Sequence, residues 1–162
     1  MRFKSMVMKE NKQSAPLHIL LADDDEDDRF FFAKALEELS IETKLTTVNN
    51  GEKLMAYLDK NSEKLPDILF LDLNMPCKNG SECLMEIKAN KNIKDFPVII
   101  YSTSLNDEIA DILYRNGAYY YMQKCGLQQL VAQLERVLAM FIEKNHKRPL
   151  RSEFLLNSEK VK

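Results

Sequence analysis

Apolar residues along the chain alternate between short runs and longer, helically spaced sets. The short runs are bounded by polar or turn residues, which is typical of buried strands. They are LHILLA (17–22), KLTTV (44–48), DILFL (67–71), PVIIY (97–101) and AYYYM (118–122). The stretches between them carry apolar positions at the spacing of an amphipathic helix, most clearly from Leu127 to Phe141.

This order of elements repeats a strand–helix unit five times. Such alternation predicts an α/β fold with a five-stranded parallel sheet, helices on both faces and right-handed crossovers. The ends of the chain carry few core-like positions, so we expect an N-terminal tail over residues 1–15 and a C-terminal tail over 146–162. The second tail contains Phe154, Leu155 and Leu156, and we favour disorder or weak docking for it. Residues 16–145 are then one domain.

Composition and charge exclude several classes of function. The net charge of −2 gives no electrostatic drive toward nucleic acid or anionic lipid. No apolar run approaches the ~20 residues needed to span a bilayer, and the N-terminus lacks the apolar core of a signal peptide. Cys77, Cys83 and Cys125 form no CxxC pair, which favours reduced thiols over zinc ligands. We therefore expect a cytoplasmic protein with no nucleic-acid or membrane partner.

Six consecutive carboxylates, residues 23–28, follow the first predicted strand. Like charges repel one another, so this run needs a cause. Acidic residues at a helix start interact favourably with the helix dipole and supply an N-cap, which is sufficient to explain Asp25 to Asp28. Asp23 and Asp24 stand directly at the end of the strand. In a parallel sheet, ligands bind beyond this edge.

Other chemically active residues also follow predicted strands. Asp72 ends the third strand, Ser102 the fourth and Lys124 the fifth. Each alone has an ordinary explanation as a turn former, a helix cap or a solvated charge, but together they come from different strand ends. Converging carboxylates suit Mg²⁺, and a carboxylate beside it can attack a phosphoryl group to give an aspartyl phosphate. A lysine and a hydroxyl would neutralise and orient the transferring oxygens.

These residues make the chain resemble the receiver domain of two-component response regulators, the CheY-like family. The resemblance covers about residues 17–142. It rests on the acidic pair Asp23–Asp24, LDLNMPCKNG around Asp72, Ser102, and NGAYYYMQK before Lys124. It implies the flavodoxin-like strand order 2-1-3-4-5 and a single-domain response regulator of a phosphorelay. Such a protein accepts its phosphoryl group from a histidine kinase or histidine phosphotransfer protein and signals by changing how it binds a protein partner.

The resemblance also implies roles in metal binding. Asp24 and Asp72 would bind Mg²⁺ directly, Asp23 would assist through water, and the backbone carbonyl of Asn74 would be a further ligand. Mg²⁺ is the one cofactor implied.

The remaining implied roles concern the phosphoryl group. Asp72 would be the phosphoacceptor, with Lys124 and Ser102 contacting the phosphoryl oxygens. Ser102 and Tyr121 would form the switch. The chain would be no enzyme in the usual sense, because it would catalyse only its own phosphorylation and dephosphorylation.

One departure from the family pattern lies at Cys125, where the family usually has a proline after the lysine. A cis bond costs ~0.5–1 kcal/mol before proline but ~2.5–4 kcal/mol otherwise, so we predict a trans bond between Lys124 and Cys125. The Lys124 ammonium should still point toward Asp72. A nearby ammonium would lower the pKa of the Cys125 thiol modestly.

Three other functions compete with this interpretation. A phosphatase of the haloacid dehalogenase type would place a second Asp two residues after the nucleophile, where this chain has Asn74. A flavin mononucleotide carrier would need an anion-binding loop after the first strand, which six carboxylates forbid. A degenerate receiver that binds partners without phosphorylation is the serious alternative, and intact Asp24, Asp72, Ser102 and Lys124 argue against it.

Overall fold

The computed structural model describes residues 15–104 and 106–156. The predicted tail over residues 1–15 lies outside this part of the chain, except for Ala15. The strands are β1 (Leu17–Ala22), β2 (Thr43–Val48), β3 (Ile68–Leu71), β4 (Val98–Ser102), β5 (Tyr120–Gln123) and β6 (Leu155–Leu156). The helices are α1 (Glu26–Glu37), α2 (Gly51–Lys60), α3 (Gly80–Ala89), α4 (Asp107–Arg115), α5 (Leu127–Glu143) and the single turn α6 (Arg151–Phe154).

The strands form one parallel sheet in the order β2-β1-β3-β4-β5-β6. The predicted α/β fold and the order 2-1-3-4-5 are confirmed. The predicted number of five strands was one too few, because β6 adds a strand beside β5. β3 lies in the interior of the sheet with all four residues buried, which explains why its sequence shows no polar alternation.

Helices cover both faces of the sheet, as the alternation predicted. One buried cluster joins alternate strand residues such as Ile19 and Phe70 to α1 and α5. The other joins Leu20 and Leu69 to α2, α3 and α4. Successive strand residues point to opposite faces, so the apolar strand runs supply both clusters at once. Among the helices of the described residues, none combines the length and hydropathy that a bilayer span requires.

The chain after α5 returns to the sheet. We predicted a tail over 146–162 that is disordered or weakly docked, but residues 147–156, here called the C-terminal segment, dock on α4 and β5. Leu155 pairs in parallel with Tyr121, and Leu156 with the next residue of β5. The correction has a physical reason: the sheet edge and α4 supply the apolar surface that so short a segment lacks by itself.

Phe154 anchors the C-terminal segment. Its side chain is fully buried. Its ring meets those of Tyr114 and Tyr121 edge-on, with centroid distances of 5.2 and 6.3 Å. Such edge-to-face pairs stabilise beyond the area they bury. An ion pair at the surface, Arg151 to Asp111 at 2.6 Å, contributes less because water screens it.

We predict that Phe154→Ala destabilises the protein by about 3 kcal/mol, the low end for a buried phenylalanine, because the segment can undock instead of leaving a cavity. Urea unfolding measures the change. Leu150→Ala is the matched control, since Leu150 lies in the same segment but is 69% exposed. That control should change stability by less than about 0.5 kcal/mol. Equal effects of the two substitutions would contradict the anchoring role of Phe154.

Candidate functional site

The carboxyl edge of the sheet gathers the polar residues that follow the strands. Asp23 and Asp24 follow β1, and Asp72 follows β3. The pairing of the strands extends into these residues, because the backbone N–H of Asp72 donates to the Ala22 carbonyl at 2.9 Å. Lys124 follows β5, and its N–H donates to the carbonyl of Ser102 at 2.7 Å. Pairing of the strands therefore determines the backbone positions from which these side chains extend.

Three carboxylates converge at this edge. Asp23, Asp24 and Asp72 each offer an oxygen, and these oxygens lie within 4.8 Å of one another. Asp23 and Asp72 are buried, whereas Asp24 is exposed. Oxygen ligands at this separation, two of them shielded from water and one open to it, fit a hard divalent cation. The structure thus brings together the predicted acidic metal ligands.

Lys124 supplies the positive charge beside these carboxylates. Its ammonium lies 2.7 Å from Asp23 Oδ2, 2.8 Å from Asp28 Oδ2 and 3.4 Å from Asp72 Oδ2. Only 9% of its side chain is exposed. The predicted orientation of Lys124 toward Asp72 is confirmed. Residues 15–104 and 106–156 contain no cis peptide bond, so the bond to Cys125 is trans, as predicted.

The burial of Asp72 changes its acidity. Loss of water around the carboxylate raises its pKa to about 6, and the charge of Asp23 acts in the same direction. The Lys124 ammonium and the N–H of Asn74, which lies 3.4 Å from Asp72 Oδ1, offset only part of this rise in pKa. For Lys124 itself, burial lowers the pKa, but contacts with Asp23 and Asp28 outweigh it and hold that pKa above its ordinary value. The site is therefore short of positive charge.

The loop after β3 packs back on the strand that carries Asp72. The N–H of Gly80 donates to the Leu73 carbonyl at 2.9 Å, and a side chain at Gly80 would clash with the Asp72 carbonyl. Asn79 then caps α3 through a capping box with Glu82. This packing holds the loop that contains Asn74 against the acidic group. The role of the Asn74 carbonyl as a metal ligand stays a prediction.

The six carboxylates of residues 23–28 do not separate into metal ligands and helix-start residues as predicted. Asp25 caps α1 by accepting the N–H of Asp28 at 3.0 Å, as its place at a helix start suggested. The Asp28 side chain, however, reaches Lys124. We had assigned it only to the helix start. Asp28 lies in the first turn of α1, directly after the strand end that carries Asp23, and this position was the signal that sequence reasoning overlooked.

Ser102 and Tyr121 lie between the site and the C-terminal segment. Ser102 is fully buried, and its hydroxyl has no hydrogen-bond partner among the residues that the structure describes. Such an unpaired buried hydroxyl is costly and is suited to an incoming oxygen atom. The Tyr121 ring is buried, and its hydroxyl donates to the backbone carbonyl of Ser104. Ser102 therefore directly precedes the loop between β4 and α4, and Tyr121 is hydrogen-bonded to the same loop.

The cysteines take no part in this arrangement. All three are free. Cys125 follows Lys124 but lies half-buried, and burial raises the pKa of its thiol. Our prediction that Lys124 lowers this pKa was wrong, because the ammonium points to the carboxylates and burial removes water from the thiol.

Comparisons with known proteins agree on one family. The family model described as "Response regulator receiver domain" matches residues 19–135. Response regulator Rcp1 of Synechocystis sp. is 29% identical over 138 residues, which cover 82% of this chain and 94% of that protein.

Solved structures give the same result. The crystal structure of the phosphorylated cyanobacterial phytochrome response regulator RcpA aligns with a TM-score of 0.71 and 30% identity, covering 84% of this chain and all of that one. The Mn²⁺-bound form of Rcp1 aligns with a TM-score of 0.71 and 29% identity, covering 83% of this chain and all of that one.

We predict that Asp72→Asn stabilises the metal-free protein at pH 7. The pKa of Asp72 is raised in the folded state, so its charge costs stability above about pH 6, and this cost disappears as the pH falls toward 4. At ~1.4 kcal/mol per pKa unit, the rise from 3.8 to about 6 corresponds to a gain of about 3 kcal/mol at pH 7. Urea unfolding in the presence of a chelator measures it at pH 7.5 and 4.5.

The matched control is Asp95→Asn, which removes an exposed carboxylate between α3 and β4. It should change stability by less than about 0.5 kcal/mol. A gain for Asp72→Asn that is equally large at pH 4.5 would contradict the assigned cause.

Proposed function

The chain belongs to the family of response regulator receiver domains, whose function is phosphorylation-based signalling, and we propose that Asp72 accepts the phosphoryl group. One observation carries this proposal: a buried carboxylate at the end of an interior strand lies 3.4 Å from a buried ammonium. Asp24 is exposed, and Asp23 is already engaged by Lys124 and by the N–H of Asp25 at 3.0 Å. Asp72 is thus the carboxylate best placed to react.

Receiver domains bind a divalent metal, and for this chain we propose Mg²⁺. Asp24 and Asp72 would hold it directly, with Asp23 through water and the Asn74 carbonyl as a further ligand. The chemistry of the carboxylates, whose oxygens lie within 4.8 Å of one another, supports a hard cation. When bound, the ion supplies positive charge to the oxygens of the transferring group.

The reaction forms one bond and breaks one. An oxygen of the Asp72 carboxylate attacks phosphorus, while the bond from phosphorus to the donor's histidine nitrogen breaks and its electron pair stays on that nitrogen. The Lys124 ammonium neutralises the phosphoryl oxygens, and the Ser102 hydroxyl donates to one of them. Lys124 forms an ion pair with Asp72, and the Ser102 hydroxyl has no hydrogen-bond partner within residues 15–104 and 106–156, which supports these roles. The chain would catalyse only its own phosphorylation and dephosphorylation.

A receiver domain requires a phosphodonor, and we propose a histidine kinase or a histidine phosphotransfer protein. Phe30 and Phe31 are 56% and 46% exposed and lie on α1, the helix whose first turn carries Asp28. Exposed aromatic residues beside a reactive group suit contact with a partner that must approach it. We further propose a cytoplasmic protein, with residues 16–145 as the receiver domain on which the C-terminal segment docks, and a protein, not nucleic acid, as its output partner.

We propose that the output depends on Ser102 and Tyr121. A phosphoryl group on Asp72 would draw the Ser102 hydroxyl toward it and shift the loop after β4. The Tyr121 hydroxyl bonds to Ser104 in that loop. A shift of the loop would therefore change the position of the Tyr121 ring and the surface formed by α4 and β5.

The first test is phosphorylation by acetyl phosphate with Mg²⁺. The intact protein should gain the mass of one phosphate, and hydroxylamine should remove it because it cleaves acyl phosphates. Asp72→Asn should gain none, whereas Asp95→Asn should react like the wild type. Lys124→Gln should react about 10²-fold more slowly, as for loss of one charge-stabilising donor. Phosphorylation of Asp72→Asn to the same extent would overturn the assignment.

The second test follows amide NMR signals after phosphorylation. Signals of β5, residues 120–123, should shift in the wild type. In Ser102→Ala they should stay in place although mass spectrometry shows phosphate on Asp72. Thr103→Ala is the matched control, since Thr103 carries a hydroxyl in the same loop but is exposed. Equal shifts in Ser102→Ala and the wild type would eliminate the coupling.

A further inference from the structure

Lys124 and a divalent cation compete for the same carboxylates. The ammonium lies 2.7 Å from Asp23 Oδ2 and 3.4 Å from Asp72 Oδ2. Asp23 and Asp72 also belong to the acidic group that fits a metal. Two cations that approach one carboxylate repel each other. An incoming cation therefore requires the ammonium to give up part of its contact with the group.

An ammonium that leaves these carboxylates needs another partner nearby. The side chain of Lys124 is 9% exposed, so water cannot fully replace a lost ion pair. Asp28 meets this need, because its carboxylate lies 2.8 Å from the ammonium. It is not a member of the acidic metal group. The Asp28 side chain is 33% exposed, so water screens the Lys124–Asp28 ion pair more than the Lys124–Asp23 ion pair.

We propose that Asp28 is a positioning residue that retains the Lys124 ammonium at the outer edge of the site and thereby admits a divalent cation to Asp23 and Asp72. Without Asp28, the ammonium keeps ion pairs with only those two carboxylates among the residues that the structure describes, and it competes with the cation for them. The proposal rests on the metal site of the proposed function. It does not rest on phosphorylation.

The test measures the affinity of the purified full-length chain for Mg²⁺ alone by titration calorimetry. Asp28→Asn should bind Mg²⁺ about fivefold more weakly or worse, within the usual range of coupling between two sites. Asparagine has the same shape and keeps the N–H that Asp25 caps, so the helix start stays intact. Asp28→Glu retains the charge and should bind within about twofold of the wild type.

Asp27→Asn is the matched control for charge. Asp27 lies in the same first turn of α1 but is exposed, and Lys124 makes no ion pair with it within the described part of the chain. Both substitutions remove one negative charge from the helix start. If Asp27→Asn weakens Mg²⁺ binding as much as Asp28→Asn, the effect is one of overall charge and the proposal falls.

A double-mutant cycle with Lys124→Gln separates positioning from direct attraction of the metal. Lys124→Gln alone should strengthen Mg²⁺ binding, because the competing cation is gone. In that background, Asp28→Asn should weaken binding no more than Asp27→Asn does. An equal loss with and without Lys124 would overturn the proposal. Thermal unfolding of each variant by circular dichroism, with every midpoint well above the temperature of the titration, shows that a weaker Mg²⁺ affinity does not come from unfolded protein.

The outcome is distinguishable from failure of the proposed function. If acetyl phosphate does not modify Asp72 but the cycle behaves as expected, positioning by Asp28 stands and the phosphoacceptor assignment falls. If Asp72 is phosphorylated but Asp28→Asn binds Mg²⁺ like the wild type, only the positioning role falls. If the wild type shows no Mg²⁺ binding at millimolar concentration, the positioning role and the proposed metal site fall together.

Discussion

The buried ammonium of Lys124 stabilises the carboxyl edge of the sheet. Asp23 and Asp72 are buried next to each other, and such burial of like charges opposes folding unless a cation faces them. Lys124 faces both and also Asp28. The repulsion is only partly offset, as the raised pKa of Asp72 shows. The site thus stays receptive to further positive charge, which is the condition that a phosphoryl-transfer site with a divalent metal requires.

The rest of the fold provides a fixed frame for this charge arrangement. The interior strand β3 is buried on both faces and paired on both sides, so Asp72 starts from a part of the chain with little freedom. Asp23 and Lys124 come from β1 and β5, and their backbone N–H groups bond to neighbouring strands. Parallel pairing therefore converts residues far apart in sequence into one compact group. The distances within the site follow from sheet geometry more than from loop conformation.

Sequence reasoning located the strands and brought most of the site to one edge of the sheet, because these depend on simple periodicities. The strand order came instead from the resemblance to the receiver family. Apolar runs fix buried strands, and parallel strands bring their carboxyl ends to one edge. β6 was missed because two leucines carry no period, and only the finished sheet edge makes them a strand. Asp28 was missed as a partner of Lys124 because its helix-start position already explained its charge. The predicted direction of the pKa shift of the Cys125 thiol was wrong because it depends on where the ammonium points, which no local pattern encodes.

The C-terminal segment also sets the geometry of attachment for anything joined to it. Leu156 lies in the sheet and is nearly buried, and Phe154 beside it touches the Tyr121 ring. A fluorescent protein or tether fused directly after Leu156 would begin at the sheet edge with little rotational freedom. Its orientation would then report on the conformation of β5. A flexible spacer at that point would remove this rigidity, so linker length becomes a design variable for any sensor built on this chain.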